Sequence, residues 1–261
     1  MEPRFQKKIV FLTGAGSGFG KATALGFARE GAAAVCLVER LRDRLDAVCA
    51  EVKALGAQAV PIEADLGDRA SCEQAVATAI EEAGRLDVVV VNHAAMSWGT
   101  PFLELSDDAW ATELQINLTS FFVLAQRAAR SMAQSGGGAI LFTASVNALG
   151  AGREFAPYCV TKSGLVSLAQ VMAVELAPHG IRVNCVSPGP ADTQRSVDLV
   201  GEEAMDRYRS EFPGVPLNRL ASADDIAEAF LYLASDAASY VTGHNLIVDG
   251  GLTAQIYDLP D

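Results

Sequence analysis

Short apolar runs alternate along this chain with longer segments in which Ala and Leu are spaced by charged residues. The run Val88–Val91 is apolar at four successive positions, so a strand there is covered on both faces, as strands of parallel sheets are. The other runs have similar lengths and are rich in β-branched residues. Strands are therefore predicted at residues 8–12, 34–38, 57–62, 87–92, 138–143, 182–187 and 245–249.

Helices are predicted between these strands, and Asp68, Ser106 and Ser222 are placed to cap three of them at the N-terminus. Strands that alternate with helices predict an α/β fold. We expect one doubly wound, Rossmann-type domain over residues 1–261, with a seven-stranded parallel sheet and helices on both faces. The apolar residues at 190–216 follow neither a helical nor a strand period. This segment, called the excursion below, is predicted to be a long connection with room for short helices that passes over the ligand-binding edge. The predicted helices cover residues 19–30, 41–55, 69–83, 106–134, 156–177 and 223–234.

Composition narrows the possible partners. The chain has 261 residues and a formal net charge of −12, and without a basic stripe it would be repelled by phosphate backbones, so no nucleic-acid partner is expected. No apolar run approaches the roughly 18 residues of a membrane span, and the first run is too short for a secretory signal, so no membrane partner is expected. Five scattered cysteines without a CxxC pair indicate neither a disulfide framework nor a metal site. These features favour a cytoplasmic protein.

The stretch TGAGSGFG, Thr13 to Gly20, follows the first predicted strand and opens the first helix. Unpaired N–H groups and the helix dipole attract an anion at such a position, and glycine lets the backbone approach a phosphate closely. The pattern is TGxxxGxG rather than GxGxxG, and no GKS or GKT follows, so a P-loop hydrolase is not indicated. An ordinary tight turn is the alternative. The candidate phosphate-binding residues are Gly14, Ser17, Gly18, Phe19 and Gly20.

Glu39 closes the second predicted strand, about twenty positions beyond the glycine-rich stretch. A carboxylate there can accept hydrogen bonds from both hydroxyls of an adenosine ribose, and it would repel a 2′-phosphate. The neighbouring Arg40 argues the other way. The sequence therefore favours NAD as the cofactor over NADP, and a solvated charge at a strand end is the alternative for Glu39.

Tyr158 and Lys162 are four residues apart in a predicted helix, which puts a phenol and an ammonium one turn apart on one face. A free phenol has a pKa of about 10, and a nearby cation stabilises its phenolate, so the pair can serve as a general acid/base. Ser145, at the end of the fifth strand, can hydrogen-bond the same substrate oxygen, and Asn117 can hold a water that relays protons. Ser145 could instead be an ordinary hydroxyl at a strand end, and Asn117 could be an ordinary hydrogen-bonded amide in a helix.

These motifs together resemble the short-chain dehydrogenase/reductase family along nearly the whole chain. The resemblance implies a seven-stranded doubly wound sheet, a tetramer or dimer, and hydride transfer between NAD(P) and an alcohol or carbonyl. The matching segments are TGAGSGFG, Asp65-Leu66, NHAA at 92–95, Asn117, Ser145, YCVTK at 158–162, IRVNCVSPG at 181–189 and VDGG at 248–251.

The resemblance also implies residue roles. Tyr158 would be the acid/base, and Lys162 would in addition hold the nicotinamide ribose. Asp65 would meet the adenine amino group through its side chain, and Leu66 would meet it through its backbone. The implied catalytic tetrad is Asn117, Ser145, Tyr158 and Lys162, and the remaining implied cofactor contacts are Asn92, Ala94, Pro188, Gly189 and Thr193.

The chain departs from the family at His93 and Ala95, where the usual motif is Asn-Asn-Ala-Gly. A structural role is expected for His93, with a substrate contact as the alternative, and no metal site is expected. Substrate choice should rest on loops at residues 96–98, 147–155 and 197–212, whose Trp, Met, Leu and Phe predict a moderately apolar pocket. Arg153 could recognise an anionic group, although exposure to solvent is the favoured expectation.

The sequence therefore predicts an NAD(H)-dependent oxidoreductase that interconverts a small-molecule secondary alcohol and a ketone. One alternative is a 3-oxoacyl-thioester (acyl carrier protein) reductase that uses NADPH. Another, from a different class, is a non-catalytic NAD-sensing protein of the same fold. The long helices at 106–134 and 156–177 could pair with copies of themselves, so a homo-oligomer, either a tetramer or a dimer, is expected.

Overall fold

The computed structural model describes residues 3–96 and 99–255. The predicted loop residues Ser97 and Trp98, and the end of the tail at 256–261, lie outside the described residues. All strands pair in parallel, each within two residues of its predicted bounds at either end, so the predicted seven-stranded sheet is confirmed. The strands are β1 Ile9–Thr13, β2 Ala34–Glu39, β3 Gln58–Glu63, β4 Val88–Val91, β5 Gly138–Thr143, β6 Ile181–Pro188 and β7 Asn245–Val248.

The strand order is β3-β2-β1-β4-β5-β6-β7. The chain moves outward from β1 to β3 and then returns to the other side of β1 with β4. The loops after β1 and β4 therefore diverge, and they leave a crevice at the carboxyl edge of the sheet, where ligands of doubly wound folds bind. This crevice is the place at which the predicted site residues should meet.

Helices cover both faces of the sheet. Helices α3, α5 and α6 pack on one face, around Phe121 and Phe142, and helices α1, α2 and α9 pack on the other, around Phe27 and Phe230. Full burial of one such side chain stabilises the fold by about 1.5–3 kcal/mol, so the two layers hold the strand ends firmly. The helices are α1 Gly18–Arg29, α2 Arg42–Ala54, α3 Arg69–Ala83, α4 Asp107–Leu114, α5 Ser120–Met132, α6 Ala156–Leu176, α7 Gln194–Val200, α8 Glu202–Ser210 and α9 Ala223–Ala234.

The three predicted N-caps are confirmed. The side chains of Asp68, Ser106 and Ser222 each accept a hydrogen bond from the backbone N–H three residues further on. At Ser222 the bond is reciprocal, because the Asp225 carboxylate accepts from the Ser222 backbone N–H. These local signals fix where α3, α4 and α9 begin.

The predicted helix at 106–134 is not a single α-helix. Between α4 and α5 the backbone forms a π-helical segment, Gln115–Thr119, with Asn117 at its centre. Single π-helical turns inside α-helices are rare and often occur at functional sites. The widened turn changes the direction in which the side chains of this segment point, and it brings Asn117 toward the loop after β4.

Two further segments bear on the site. The excursion at 190–216 holds the short helices α7 and α8, as its sequence allowed. The stretch Ala156–His179, α6 and the turn after it, is long and apolar enough by length and composition to cross a membrane. Its Leu165, Ala169 and Ala173 are buried in the core, whereas Val160, Val171 and Val174 are exposed, so α6 packs on the sheet through one face only.

Candidate active site

A cavity of about 1020 Å³ follows the carboxyl edge of the sheet. It extends from the glycine-rich loop and the end of β2, past the end of β4, to the N-terminal half of α6 and the excursion that carries α7 and α8. The structure places nearly every predicted cofactor and catalytic residue on its walls. The two predicted residues that do not line it are Gly20 and Asn117.

The glycine-rich loop needs glycine at three positions for steric reasons. Gly14 has φ +64°, a conformation that favours glycine. A Cβ on Gly20 would lie 2.0 Å from the carbonyl oxygen of Gly14, so the start of α1 can pack on the loop only without a side chain. A Cβ on Gly16 would lie 2.7 Å from Oε2 of Glu39. The loop thus offers bare backbone to a ligand at the N-terminus of α1, as the sequence predicted.

Glu39 is held against this loop. Its Oε2 accepts a hydrogen bond from the Gly16 N–H at 3.1 Å, and its Oε1 accepts from the N–H groups of Arg40 and Leu41 at 3.0 and 3.1 Å. Arg44 of α2, which the sequence did not single out, also lines the cavity beside Arg40. One carboxylate and two guanidinium groups therefore meet at this end of the cavity.

Asn92 and Thr143 join the two ends of the site. The Thr143 hydroxyl donates to Oδ1 of Asn92 at 2.9 Å, and Nδ2 of Asn92 donates to the carbonyl oxygen of Gly14 at 3.4 Å. The carbonyl oxygen of Thr143 in turn accepts a 2.7 Å hydrogen bond from Nζ of Lys162. A chain of hydrogen bonds thus connects the glycine-rich loop to the predicted catalytic lysine.

The predicted adenine and nicotinamide contacts also reach the cavity. Asp65, at the loop after β3, accepts a hydrogen bond from the Gly67 N–H at 2.9 Å, which shapes the loop that holds Leu66. Thr193 caps α7 through Ser196 and lies against Gly18 on the opposite side of the cavity. The excursion therefore begins next to the glycine-rich loop.

Asn117 is fully buried, and both ends of its amide are bound to the backbone of Ala95. Oδ1 accepts from the Ala95 N–H at 2.7 Å, and Nδ2 donates to the Ala95 carbonyl oxygen, also at 2.7 Å. The side chain therefore holds the loop after β4 in place, and its predicted contact with a relaying water stays a prediction. Buried Glu113, one turn earlier on α4, lies 3.4 Å from Nδ2 of Asn117. Glu113 was not predicted as a site residue, although its spacing of four residues from Asn117 indicates that the two side chains share one helix face.

His93 occupies a closed hydrogen-bond network. The Thr13 hydroxyl accepts from the Asn92 N–H and donates to Nδ1 of His93 at 2.9 Å. The Ser120 hydroxyl donates to the Ile116 carbonyl oxygen and so accepts from Nε2–H of His93 at 2.7 Å. Burial, with a smaller effect from the like charge of Lys162, lowers the pKa of His93 to about 3. The neutral imidazole thus links β1 to the π-helical segment, as expected for a structural role.

Lys162 is 1% exposed, and its Nζ lies 5.4 Å from the centroid of the Tyr158 ring. Burial, with a smaller effect from the nearby charge of Arg195, lowers the pKa of Lys162 to about 7. In the protein alone the ammonium therefore carries only part of its charge at neutral pH.

Burial also raises the pKa of Tyr158, opposite to the lowering that the sequence analysis expected from the lysine. Two groups act against burial: the positive charge of Arg195 and the polar contact with the Ser145 hydroxyl both lower the pKa. The phenol is consequently protonated at neutral pH in the protein alone, which is the form that donates a proton. Ser145 is buried beside it at the end of β5, as predicted.

The excursion forms the outer wall of the catalytic end. Apolar side chains of α7 and α8 line the cavity there, together with Phe155 from the loop before α6, so the predicted apolar pocket loops are in place. Arg153 is exposed and does not line the cavity, whereas Arg195 of α7 does. The apolar residues of these helices are Leu199, Val200, Met205 and Tyr208.

Comparison with known proteins agrees with this geometry. A family model described as enoyl-(acyl carrier protein) reductase matches residues 14–253. The chain is 40% identical over 250 residues to an L-rhamnose 1-dehydrogenase (NAD(P)+) of Azotobacter vinelandii, with 94% of this chain and 96% of that protein covered. It is 32% identical to a 3-oxoacyl-[acyl-carrier-protein] reductase of Thermotoga maritima, with 95% and 99% covered. A solved 7α-hydroxysteroid dehydrogenase, in complex with NADH and 7-oxo glycochenodeoxycholic acid, matches with a TM-score of 0.89 at 32% identity, with 96% of each chain covered.

Proposed function

Because the chain belongs to the short-chain dehydrogenase/reductase family, whose members act on CH–OH groups, we propose that it interconverts a secondary alcohol and a ketone with NAD(H). The observation that carries the proposal is the convergence of Ser145, Tyr158 and Lys162 on one cavity that also reaches the glycine-rich loop and Glu39. The cavity has a phenol, a hydroxyl and an ammonium at one end and an anion-binding loop at the other. This arrangement fits a dinucleotide and an alcohol bound side by side.

In the proposed reaction the bound nicotinamide supplies the hydride acceptor. Tyr158 exchanges a proton with the substrate oxygen: its protonated form donates to a ketone, and its phenolate takes the proton of an alcohol. Ser145 orients that oxygen, and Lys162 holds the ribose and supports the phenolate. Asn117 and Glu113 act behind them, because Asn117 fixes the loop after β4 against which the substrate side of the site is built.

The proposed preference for NAD rests on Glu39. Its carboxylate is fixed by three backbone N–H groups and would face the hydroxyls of an adenosine ribose. A 2′-phosphate placed there would meet a negative charge at short range, although Arg40 and Arg44 could partly offset it. We therefore propose NAD as the main cofactor and NADP as a poorer one.

A second candidate, 3-oxoacyl-thioester reduction with NADPH, is favoured by the similarity to the Thermotoga maritima reductase. The carboxylate of Glu39 argues against it. The non-catalytic sensor has no observation in its favour, since Ser145, Tyr158 and Lys162 are all present at the cavity.

The test is a panel of secondary alcohols, ketones and a 3-oxoacyl thioester, scored by the absorbance of reduced nicotinamide with NAD and NADP side by side. We expect oxidation of at least one secondary alcohol class, with higher kcat/KM for NAD. Turnover confined to the thioester with NADPH would favour the second candidate. Tight binding of NAD without turnover of any compound would favour the sensor.

We also propose that residues 1–261 act as one domain and that the chain assembles as a homo-oligomer in the cytoplasm. The outer face of α6 presents Val160, Val171 and Val174, the last two 51% and 78% exposed, and Phe122 of α5 is exposed as well. Such an apolar face is typical of an association surface. All five cysteines are free thiols, which supports a reducing compartment. A monomer in equilibrium sedimentation would contradict the proposed assembly.

A further inference from the structure

Arg195 is a cation in the substrate half of the cavity without a carboxylate partner among the described residues. It lies on α7, lines the cavity, and is exposed there. Its Nη1 donates a 2.9 Å hydrogen bond to the carbonyl oxygen of Ala94, in the loop after β4. This contact uses one of the five N–H groups of the guanidinium and involves a neutral carbonyl oxygen rather than a carboxylate.

Two acidic side chains lie at this end of the site: Glu113, which is buried beside Asn117, and Asp198. Asp198, one turn later on α7, also lines the cavity, but its Oδ1 accepts a 2.9 Å hydrogen bond from Nε2 of Gln194. Arg209, on the neighbouring α8, shows the contrast, because it pairs with three carboxylates, those of Asp192, Glu202 and Asp206. Among the described residues, Arg195 and Arg207 of the excursion form no ion pair, and of these two only Arg195 lines the cavity.

Arg195 borders both the implied cofactor contact Ala94 and the reacting end of the cavity. Its charge lowers the pKa of both Tyr158 and Lys162, so it lies within electrostatic range of both. Its hydrogen bond partner, Ala94, belongs to the same loop that Asn117 fixes through Ala95.

From this arrangement we propose that the substrate is an anionic alcohol or ketone, a hydroxy or oxo carboxylic acid with an apolar body, whose carboxylate pairs with Arg195. The planar guanidinium can offer a carboxylate two parallel N–H donors, as arginine does in bidentate pairs. The alcohol oxygen would meet Ser145 and Tyr158, and the body of the molecule would lie against the apolar side chains of α7 and α8. The proposal rests on the proposed oxidoreductase function and names the substrate class of that same site.

The test separates charge recognition from catalysis by a binding measurement. Cyclohexanecarboxylate and cyclohexanecarboxamide have the same ring and differ in charge, so calorimetry with the NAD-loaded protein compares them directly. We expect the carboxylate to bind more tightly than the amide. Arg195→Met should weaken carboxylate binding about ten- to a hundredfold, the usual value of a hydrogen bond to a charged group, and leave the amide unchanged. Arg195→Lys should restore part of the loss.

Turnover gives the second arm, with each hydroxy acid paired with its methyl ester. The ratio of the two kcat/KM values is the proper readout, because loss of the Arg195 charge also changes the pKa of Tyr158 and so affects both substrates. Arg153→Met is the matched control: it removes an exposed arginine that does not line the cavity, and it should leave the ratio unchanged.

Three binding results would overturn the proposal: equal binding of the two probes by the wild-type protein, an equal loss for both probes in Arg195→Met, or a loss confined to NAD affinity. The last would assign Arg195 to the dinucleotide. Oxidation of neutral alcohols with no preference for acids would overturn this inference and leave the proposed function intact. Carboxylate binding that depends on Arg195, without turnover of any alcohol, would instead contradict the proposed function.

Discussion

The cavity has two walls that are built in different ways. The sheet wall consists of strand-end and α6 residues, of which Thr143, Ser145 and Lys162 are buried, and these three are bound to backbone atoms or to the side chain of Asn92. The loop wall is the excursion at 190–216, in which Arg209 joins α8 to the start of the excursion through exposed ion pairs. The sheet wall carries the proposed chemistry, and the loop wall carries the proposed substrate contacts.

Because the two walls are built differently, substitutions in them should differ in how much free energy they cost. A buried polar group that loses its partner costs about 1–3 kcal/mol, whereas an exposed ion pair contributes about 0–1 kcal/mol. Substitutions in the sheet wall should therefore affect rate or stability strongly. Substitutions in the loop wall should mainly affect which substrate binds and how tightly.

The largest effect is expected from Tyr158→Phe in the sheet wall. Removal of the hydroxyl deletes the proton donor and acceptor but keeps the ring, so kcat should fall by about 10²–10⁴-fold, the usual contribution of a general acid/base. Affinity for NAD, measured by fluorescence titration, should stay within a few-fold of the wild-type value. Activity that survives in this variant would assign the acid/base role to another group.

The second expected effect is on stability and concerns Lys162→Met. Burial gives Lys162 a pKa of about 7 in the folded protein against its ordinary value of 10.5. Between these values the unfolded chain binds a proton that the folded chain does not, so stability rises with pH across this window. The free energy of unfolding of the wild-type protein, relative to Lys162→Met, should increase by roughly 3 kcal/mol between about pH 7 and pH 9.5.

Urea unfolding without dinucleotide, at a series of pH values, measures this difference. The series should end below pH 10, because the raised pKa of Tyr158 has the opposite sign: above its ordinary value of 10.0 the folded protein retains a proton and loses stability as the pH rises. Parallel pH dependence in the two proteins would mean that Lys162 keeps its charge when buried.

The two walls also differ in how far the sequence could predict them. The strands of the sheet wall follow from local apolar runs, and the caps at Asp68, Ser106 and Ser222 follow from the chemistry of single residues. Because the ends of parallel strands meet at one edge, the sequence also placed Ser145 at that edge, whereas its grouping with Tyr158 of α6 came from their chemistry and from the family resemblance. These predictions succeed because each depends on short-range pattern and on a regular topology.

What the sequence could not predict depends on tertiary contacts. The π-helical segment arises in a stretch with ordinary helical composition, and it coincides with the bonds from Asn117 to Ala95, which lies 22 residues away in the chain. Arg153 is exposed, as the sequence favoured, but nothing in the sequence singled out Arg195, which lines the cavity from the loop wall. Which arginine points inward depends on how α7 packs across the loop after β4, and local pattern does not contain that information.

A smaller effect, on cofactor choice, is expected at the far end of the sheet wall from Glu39→Gln. The amide keeps an oxygen that can accept from the Gly16 N–H, so the change isolates the charge. The kcat/KM ratio of NADP to NAD should rise about tenfold or more, because repulsion of a 2′-phosphate disappears while Arg40 and Arg44 remain.

Glu63→Gln is the matched control for this experiment. Glu63 is the register partner of Glu39 on β3, is exposed, and does not line the cavity. The control should leave the ratio of the two cofactors unchanged. An equal response of both variants would show that net charge near the site, rather than the position of Glu39, sets the preference.

The smallest effect is expected in the loop wall from Arg209→Met. Its three ion pairs are with exposed or half-exposed carboxylates, so their loss should raise KM for the alcohol by up to about fivefold and leave kcat nearly unchanged. Arg207→Met on the same helix is the control, because Arg207 forms no ion pair within the part of the chain that the structure describes. A large fall in kcat, comparable to that of Tyr158→Phe, would mean that the loop wall takes part in the chemistry itself, and the proposed division between the two walls would then be wrong.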